Sequence, residues 1–376
     1  MKAIAARCYR IADKAACLFL ALFIIVACED HEPIKVGFLA GISGRVADLG
    51  IGGRNGAMLA IEMRNASGGI NGRPLQLIVE DDKQDAGQAR VALQRLIVQK
   101  VVAVIGPMTS SMAIALTPLA NEAQMLLLSP TATSTALNGK KDYFMRVVAS
   151  TATYATKSAN FHFHDQGIRH TAVIHDTKNR AYTQSWLNDY RKVFEGLGGQ
   201  IGPVIPFESG NLVKFAGLVD QVIDSAPDSL LILANSVDAA SIAQQLRQKN
   251  DSILFSTSEW AATERLIELG GKAVEGGIVA QFIDRNSSDP RYRSFKDAYY
   301  ERFGQQPGFA GLTGFDAANV VFDALEIKEA NEHIRDVILR ISRFQGAQAE
   351  LVFDEYGDTQ RQTFLTTVRD GQYVRR

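Results

Sequence analysis

Cysteine and histidine are scarce in this sequence. Its 376 residues include three cysteines and six histidines. The cysteines are Cys8, Cys17 and Cys28, and all of them lie near the start of the chain. If the chain is cleaved before Cys28, the mature protein keeps a single cysteine, which excludes a disulfide framework and a cysteine metal site.

Strong net charge and the common catalytic motifs are also missing. The formal net charge is −1 at pH 7, which argues against a nucleic-acid partner and against a polybasic membrane patch. No phosphate-binding GxxxxGKS/T, strand-linked GxGxxG, HExxH or GxSxG motif is present, which disfavours nucleotide and hydrolase chemistry. The acidic run 80–82 has no second carboxylate or histidine cluster to complete a cation site. We therefore predict no catalytic residue, no cofactor and no metal.

The N-terminal segment has the features of a targeting sequence. A basic start precedes the apolar run 15–26, which is too short to span a bilayer comfortably. Residues 25–28 (IVAC) then resemble the lipobox of bacterial lipoproteins, in which the cysteine is acylated and becomes the first mature residue. We expect residues 1–27 to be a lipoprotein signal peptide, 28–33 a lipidated tether and Cys28 the lipidation site. An ordinary signal peptide with a chance cysteine is the alternative.

Strand-like and helix-like segments alternate from residue 34 onward. The first half predicts strands at 34–40, 74–79, 101–105 and 125–128, with helices at 52–64, 86–99 and 111–123 between them. The pattern restarts at residue 153, gives a second unit of similar size and ends in a β-rich tail. Strands separated by helices of this length predict α/β units with parallel sheets. No long linker divides the units, so we expect short crossovers between them.

Two hydroxyl-rich turns follow consecutive strands of the first unit. One contains Ser110 and Ser111, and the other contains Thr131, Ala132 and Thr133. Ligands of open α/β sheets bind at the carboxyl ends of the strands, and helix N-termini there attract anions. The pair predicts a site for a small anionic or zwitterionic ligand, although helix capping alone would also explain each turn.

Strand ends of the second unit carry different chemistry. They offer the aromatic residues Tyr182 and Trp260, the amide Asn235 and the carboxylate Glu259. Neutral donors on one wall of a cleft and a carboxylate on the other would suit a ligand with both a carboxylate and an ammonium group. Capping by Glu259 and simple packing by the two aromatic residues are the alternatives.

Several longer motifs together resemble a known family. They include NASGGINGRP at 65–74, VIGP at 104–107, FDAA at 315–318 and FDEYGD at 353–358. Spread over residues 34–375, the set resembles the type I periplasmic substrate-binding proteins, specifically the branched-chain amino-acid (Leu/Ile/Val) binding group of ABC importers.

That resemblance implies two Rossmann-like lobes with parallel central sheets, joined by three crossovers and closing on a ligand. Lobe 1 would comprise 34–150 plus 283–348, and lobe 2 would comprise 151–282 plus 349–376.

The resemblance also implies residue roles. Ser110, Thr131 and Thr133 would hold an α-carboxylate, with Ser111 and Ala132 in the same turns, and Glu259 would pair with the α-ammonium group. The remaining expected ligand contacts are Leu49, Tyr182, Asn235 and Trp260.

The implied protein is a lipid-anchored extracytoplasmic lipoprotein that captures an amino acid and delivers it to ABC permease subunits. A binder of an aromatic acid, amide or urea, a sensory receptor signalling to a partner protein, and an enzyme on this scaffold are the alternatives.

Overall fold

The structure is a computed structural model that describes residues 32–210 and 212–376. The predicted signal peptide, the lipidation site Cys28 and most of the tether therefore lie outside the described residues. None of the helices in the described ranges combines the length and apolar character needed to cross a membrane.

The first half of the chain forms a parallel sheet with helices on both faces. Its strands are β1 (Ile34–Ala40), β2 (Leu75–Asp81), β3 (Val104–Ile105), β4 (Leu127–Ser129) and β5 (Phe144–Arg146). They lie in the order β2-β1-β3-β4-β5, and each neighbouring pair is parallel. The helices between the strands are α1 (Ala47–Ala66), α2 (Ala86–Val98) and α3 (Ser110–Ala123).

The alternation of side chains along the strands explains why helices cover both faces of this sheet. Val36, Phe38 and Ala40 of β1 belong to one hydrophobic core, whereas Leu39 belongs to a second core with residues of α2 and α3. Successive residues of a strand point to opposite faces. A strand whose side chains are apolar on both faces of the sheet must therefore be buried on both faces.

The second half repeats the design around a larger sheet. Its strands are β6 (His170–Asp176), β7 (Gln200–Phe207), β8 (Ser229–Leu233), β9 (Leu254–Thr257) and β10 (Ile278–Gln281). Neighbours in the order β10-β9-β8-β6-β7 are parallel. The helices are α4 (Thr151–Asn160), α5 (Arg180–Gly196), α6 (Phe215–Asp224), α7 (Ser236–Lys249) and α8 (Glu264–Gly270).

Three further helices follow β10 and return to the first lobe: α9 (Pro290–Phe303), α10 (Phe309–Ile327) and α11 (Ile334–Ile341). Helices α1 and α10 approach so closely that their contact requires glycine. A Cβ atom on Gly56 would lie 2.0 Å from the carbonyl oxygen of Gly311, and one on Gly314 would lie 2.3 Å from that of Gly53.

The tail corrects one predicted lobe boundary. Strands β11 (Arg343–Gln345), β12 (Glu350–Phe353) and β13 (Thr359–Gln360) form a separate antiparallel sheet. The Arg146 amide of β5 donates to the carbonyl oxygen of Gly357 at 3.1 Å, which attaches this sheet to the first lobe. A boundary between 348 and 349 would cut the β11–β12 hairpin, so we place it after β13. Only β14 (Phe364–Arg369) and β15 (Gln372–Arg375) join the second sheet, at its β10 edge.

The described chain thus passes between the lobes three times, as the resemblance implied: after β5, after β10 and after β13. Arg361 on the third connection links all of them. Its guanidinium donates to the carbonyl oxygen of Val147 on the first connection at 3.4 Å and lies 5.3 Å from the ring centre of Phe282 on the second. It also forms a 2.7 Å ion pair with Asp316 of α10, and both side chains are buried. This cluster joins the connections where two hinged lobes would pivot.

Candidate functional site

The two hydroxyl-rich turns lie side by side at the carboxyl end of the first sheet. Ser110, the first residue of α3, accepts hydrogen bonds at Oγ from the backbone amides of Thr133 at 3.2 Å and Ser134 at 3.1 Å. Ser129 accepts at Oγ from the Ala132 amide at 3.0 Å. Thr131 donates through its hydroxyl to the Met108 carbonyl oxygen. The predicted pairing of the turns is present, but several of their backbone amides already have partners within the turns.

Glu259 faces these turns from the second lobe. It follows β9, is 4% exposed and points one carboxyl oxygen, Oε1, at the Thr133 hydroxyl, 3.3 Å away. The other oxygen, Oε2, accepts a hydrogen bond from Trp186 Nε1 at 3.0 Å. Among the described residues, no cation pairs with it. The predicted carboxylate therefore lies directly across the interlobe gap from the predicted carboxylate-binding turn.

Burial dominates the electrostatics of this carboxyl group. It raises the pKa of Glu259 from 4.5 to about 7, although donation by its own backbone amide and by the Trp186 and Thr133 side chains acts in the opposite direction. The Tyr182 hydroxyl is also buried, and burial and the nearby Glu259 charge raise its pKa well above 10. Within the described ranges this hydroxyl has no hydrogen-bond partner at normal geometry. The site thus presents a buried, uncompensated acid with a free hydroxyl beside it.

A cavity of about 20 Å³ lies between the turns and Glu259. Its lining comprises Leu49, Met108, Thr109, Ser110, Thr131, Thr133, Asn179, Tyr182, Glu259, Trp260, Phe282 and Phe309. The edges of the Tyr182 and Trp260 rings meet at 5.5 Å and 76°. A cavity of this size has room for about one water molecule. The lobes or the lining side chains must therefore move before anything as large as an amino acid can enter.

Three predicted contacts lie outside this cavity. Asn235 accepts from the Asp238 amide at 3.0 Å and donates to its carboxylate at 2.6 Å, so it caps α7 instead of lining the site. Ser111 bonds across the lobes, through its amide to Asn179 at 3.1 Å and through its hydroxyl to the Ala181 amide at 3.2 Å. Ala132 is buried in the second core with its amide bonded to Ser129.

Some residues of the site have no signal in the sequence. Phe282 and Phe309, which line the cavity, resemble ordinary core aromatics. So does Trp186, which does not line the cavity but reaches Glu259 from inside α5. Asn179 directly precedes α5, three residues before Tyr182. Their roles depend on contacts between the lobes, which local sequence does not encode.

The lobes also touch at the rim of the cavity. Asp48 of α1 accepts hydrogen bonds from the hydroxyls of Ser236 at 2.5 Å and Thr263 at 2.6 Å. Arg45 forms a 2.5 Å ion pair with Asp238. These contacts join the first lobe to α7 and to the start of α8.

In the described part of the chain, no group of three or more histidine, cysteine, aspartate or glutamate side chains is arranged to hold a metal ion.

Comparisons with known proteins agree with this geometry. A Pseudomonas aeruginosa protein named as a leucine-, isoleucine-, valine-, threonine- and alanine-binding protein is 23% identical over 329 residues, covering 87% of each chain. The crystal structure of a leucine binding protein from Thermotoga maritima superposes with a TM-score of 0.84 at 25% identity, covering 91% of this chain and 97% of that one. An R. palustris solute binding protein solved with benzoate has the same fold, with a TM-score of 0.83 at 16% identity over 91% and 95% of the two chains.

Residues 33–372 match the family model described as periplasmic binding protein, which is most of the sequence. The predicted family and the predicted two-lobed α/β fold are therefore confirmed. The chain belongs to the periplasmic binding protein family.

Proposed function

We propose that this protein is the extracytoplasmic solute-binding lipoprotein of an ABC importer, that it captures an α-amino acid by closure of its lobes, and that it delivers the ligand to permease subunits. The observation that carries the proposal is the position of Glu259. This buried carboxyl group without a cationic partner among the described residues lies 3.3 Å from the hydroxyl of Thr133, in the turn best suited to an anion.

The two groups of an α-amino acid fit the two walls. Ser110 is the first residue of α3, and Thr131 and Thr133 lie beside it in the turn that follows β4. The helix dipole and the Ser110 and Thr133 hydroxyls favour a carboxylate there. Glu259 and the free hydroxyl of Tyr182 suit the ammonium group, which would supply the missing positive charge. Closure removes water, so both charge-assisted interactions strengthen.

The rest of the cavity is suited to an apolar side chain. Leu49, Met108, Phe282 and Phe309 present aliphatic and aromatic surface. By its name, the Pseudomonas relative binds leucine, isoleucine, valine, threonine and alanine. We therefore expect a small aliphatic amino acid, with leucine as the first ligand to test.

Isothermal titration calorimetry with a panel of amino acids tests the proposal. We expect leucine or a similar aliphatic amino acid to bind, and Glu259→Gln to weaken that binding by about 30-fold or more, since breaking a buried charge pair costs about 2 kcal/mol or more. The matched control is Glu268→Gln, which removes a carboxylate from the exposed surface of the same lobe, where it pairs with Arg265 at 3.1 Å. Unchanged affinity in Glu259→Gln, or no binding by any α-amino acid, would contradict the proposal.

A carboxylate ligand without an amine is the second candidate. The aromatic rings of Tyr182, Trp260, Phe282 and Phe309 favour it, as does a Glu259 carboxyl group with a pKa of about 7, which is protonated in mild acid and can then donate a hydrogen bond. Titration with benzoate beside phenylalanine separates the two candidates. Benzoate binding that survives Glu259→Gln would favour the aromatic acid.

A further inference from the structure

The two oxygens of the Glu259 carboxyl group have different kinds of partner. Oε1 faces Thr133 in the opposite lobe at 3.3 Å. Oε2 accepts from the indole N–H of Trp186 at 3.0 Å, and Trp186 belongs to α5 in the same lobe as Glu259. Opening the lobes would separate Glu259 from Thr133 but would leave the bond to Trp186 intact. One oxygen is therefore fixed before a ligand arrives.

The indole itself is firmly held. Trp186, Tyr190 and Phe194 lie at four-residue intervals on one face of α5, so they stack on one another. The ring centres of Trp186 and Tyr190 are 5.6 Å apart and those of Tyr190 and Phe194 are 5.1 Å apart, each pair at 21°. The Tyr190 hydroxyl is 2.8 Å from Nδ1 of His162. All four side chains are buried, so the indole ring of Trp186 is held in one orientation, with its N–H directed at Glu259.

An indole is well suited to this position. It donates one hydrogen bond, accepts none and carries no charge. A lysine or arginine in its place would neutralise Glu259 and compete with a ligand's ammonium group. A neutral donor stabilises the ionised carboxylate without cancelling its charge.

We propose that Trp186 is a positioning residue of the ammonium site: its N–H holds Oε2 of Glu259, so that Oε1 is presented to the ammonium group of the ligand. This assignment rests on the proposed function as an α-amino-acid binder. Nothing in the sequence around Trp186 distinguishes it from a core residue; the 3.0 Å contact with Glu259 does.

Few other groups near Glu259 can titrate at moderate pH. The tyrosines that face it are Tyr182 of α5 and Tyr154 of α4, and burial raises the pKa of both well above 10. Burial lowers the pKa of His162, behind the aromatic stack, to about 4. Burial also raises the pKa of Asp189, which is on α5 with Trp186, and raises that of Asp176, at the end of β6, to about 6. A titration at Trp186 with a midpoint near pH 7 therefore reports Glu259 when it is absent in Glu259→Gln.

Trp186→Phe tests the proposal, because it keeps an aromatic ring in the stack and removes the N–H. Leucine affinity is measured by calorimetry from pH 5 to pH 8.5, with 4-methylpentanoate as the analogue that lacks the ammonium group. In the wild type, leucine affinity should rise with pH as Glu259 ionises, with a midpoint near its pKa of about 7. Trp186→Phe should weaken leucine binding at pH 7 by about tenfold. It should also move the midpoint upward by about one pH unit, since the ionised carboxylate loses a donor.

Tyr190→Phe is the matched control, because it removes a polar group from the same stack without touching Glu259. It should leave the midpoint in place, and 4-methylpentanoate should bind the wild type and Trp186→Phe equally. An unchanged midpoint in Trp186→Phe, or an equal shift in Tyr190→Phe, would overturn the assignment while the proposed function stands. If the wild type binds no α-amino acid, both are overturned.

A measurement on the unmutated protein guards against misfolding of the variant. The chain contains two tryptophans, so its ¹H–¹⁵N spectrum contains two indole resonances, and Trp260→Phe identifies the one from Trp186. That resonance should shift with a midpoint near pH 7 and should lose this titration in Glu259→Gln. A Trp186 resonance that stays constant from pH 5 to pH 8.5 would refute the contact.

Discussion

Replacing Glu259 by glutamine should stabilise the ligand-free protein at neutral and alkaline pH, even though it removes a binding residue. Burial raises the pKa of this carboxyl group from 4.5 to about 7. Between these values the unfolded chain releases its proton and the folded chain keeps it, so wild-type stability falls as pH rises and the loss is complete above pH 7. A shift of about 2.5 units at about 1.36 kcal/mol per unit gives a penalty of about 3 kcal/mol. Glutamine has no such penalty.

Urea unfolding of the wild type, Glu259→Gln and the control Glu268→Gln at pH 5 and pH 8.5 measures this effect. Asp82 and Asp176, whose pKa values burial raises to about 6, act in the same direction but are present in all three proteins, so they cancel in the comparison. The stability gap between Glu259→Gln and the wild type should widen by about 2.5 kcal/mol from pH 5 to pH 8.5, since part of the penalty is already present at pH 5. A gap that does not change with pH, or a variant less stable than the wild type at pH 8.5, would refute the reasoning.

Three further predictions concern packing, closure and anchoring. Gly314→Ala should destabilise the protein by about 3 kcal/mol in urea unfolding, because its Cβ atom would lie 2.3 Å from a backbone oxygen of α1; a loss below about 0.5 kcal/mol would show that the helices separate freely. Asp48→Ala should weaken leucine binding about tenfold in calorimetry, since it removes the interlobe bonds from Ser236 and Thr263; unchanged affinity would assign the rim no part in closure. Cys28→Ser should abolish fatty-acid labelling and move the protein from the membrane to the soluble fraction; persistent labelling would place the lipid elsewhere.

The sequence predicted the sheets better than the tail. Apolar runs such as 34–40 are buried from both faces, and that pattern is visible in the residues themselves. The pattern that restarts at residue 153 corresponds to α4, which begins at Thr151 and is followed by a wider helical turn at Phe161–Asp165. Strands β11 to β13 are short and gain their stability from pairing with one another, so sequence alone gave no basis for assigning them to a lobe.

The candidate site was predictable where chemistry follows a strand end. Ser110, Thr133 and Glu259 stand at such ends, and the structure brings them together. Asn235 stands at a similar position, but its side-chain oxygen accepts from the Asp238 amide and caps α7. It therefore does not contact the cavity. Trp186 lies in α5, and its role arises from the contact between α5 and Glu259 in the segment after β9, which no local pattern reports.

Binding of a ligand through both of its charged groups is the central claim, and calorimetry with three molecules that share the side chain of leucine tests it most directly. Leucine carries both groups, 4-methylpentanoate lacks the ammonium group and 3-methylbutylamine lacks the carboxylate. We expect leucine to bind at least about 30-fold more tightly than either analogue, because each analogue leaves one wall of the site without its partner. Equal affinity for leucine and 4-methylpentanoate would contradict the role of Glu259, and equal affinity for leucine and the amine would contradict the role of the hydroxyl turns.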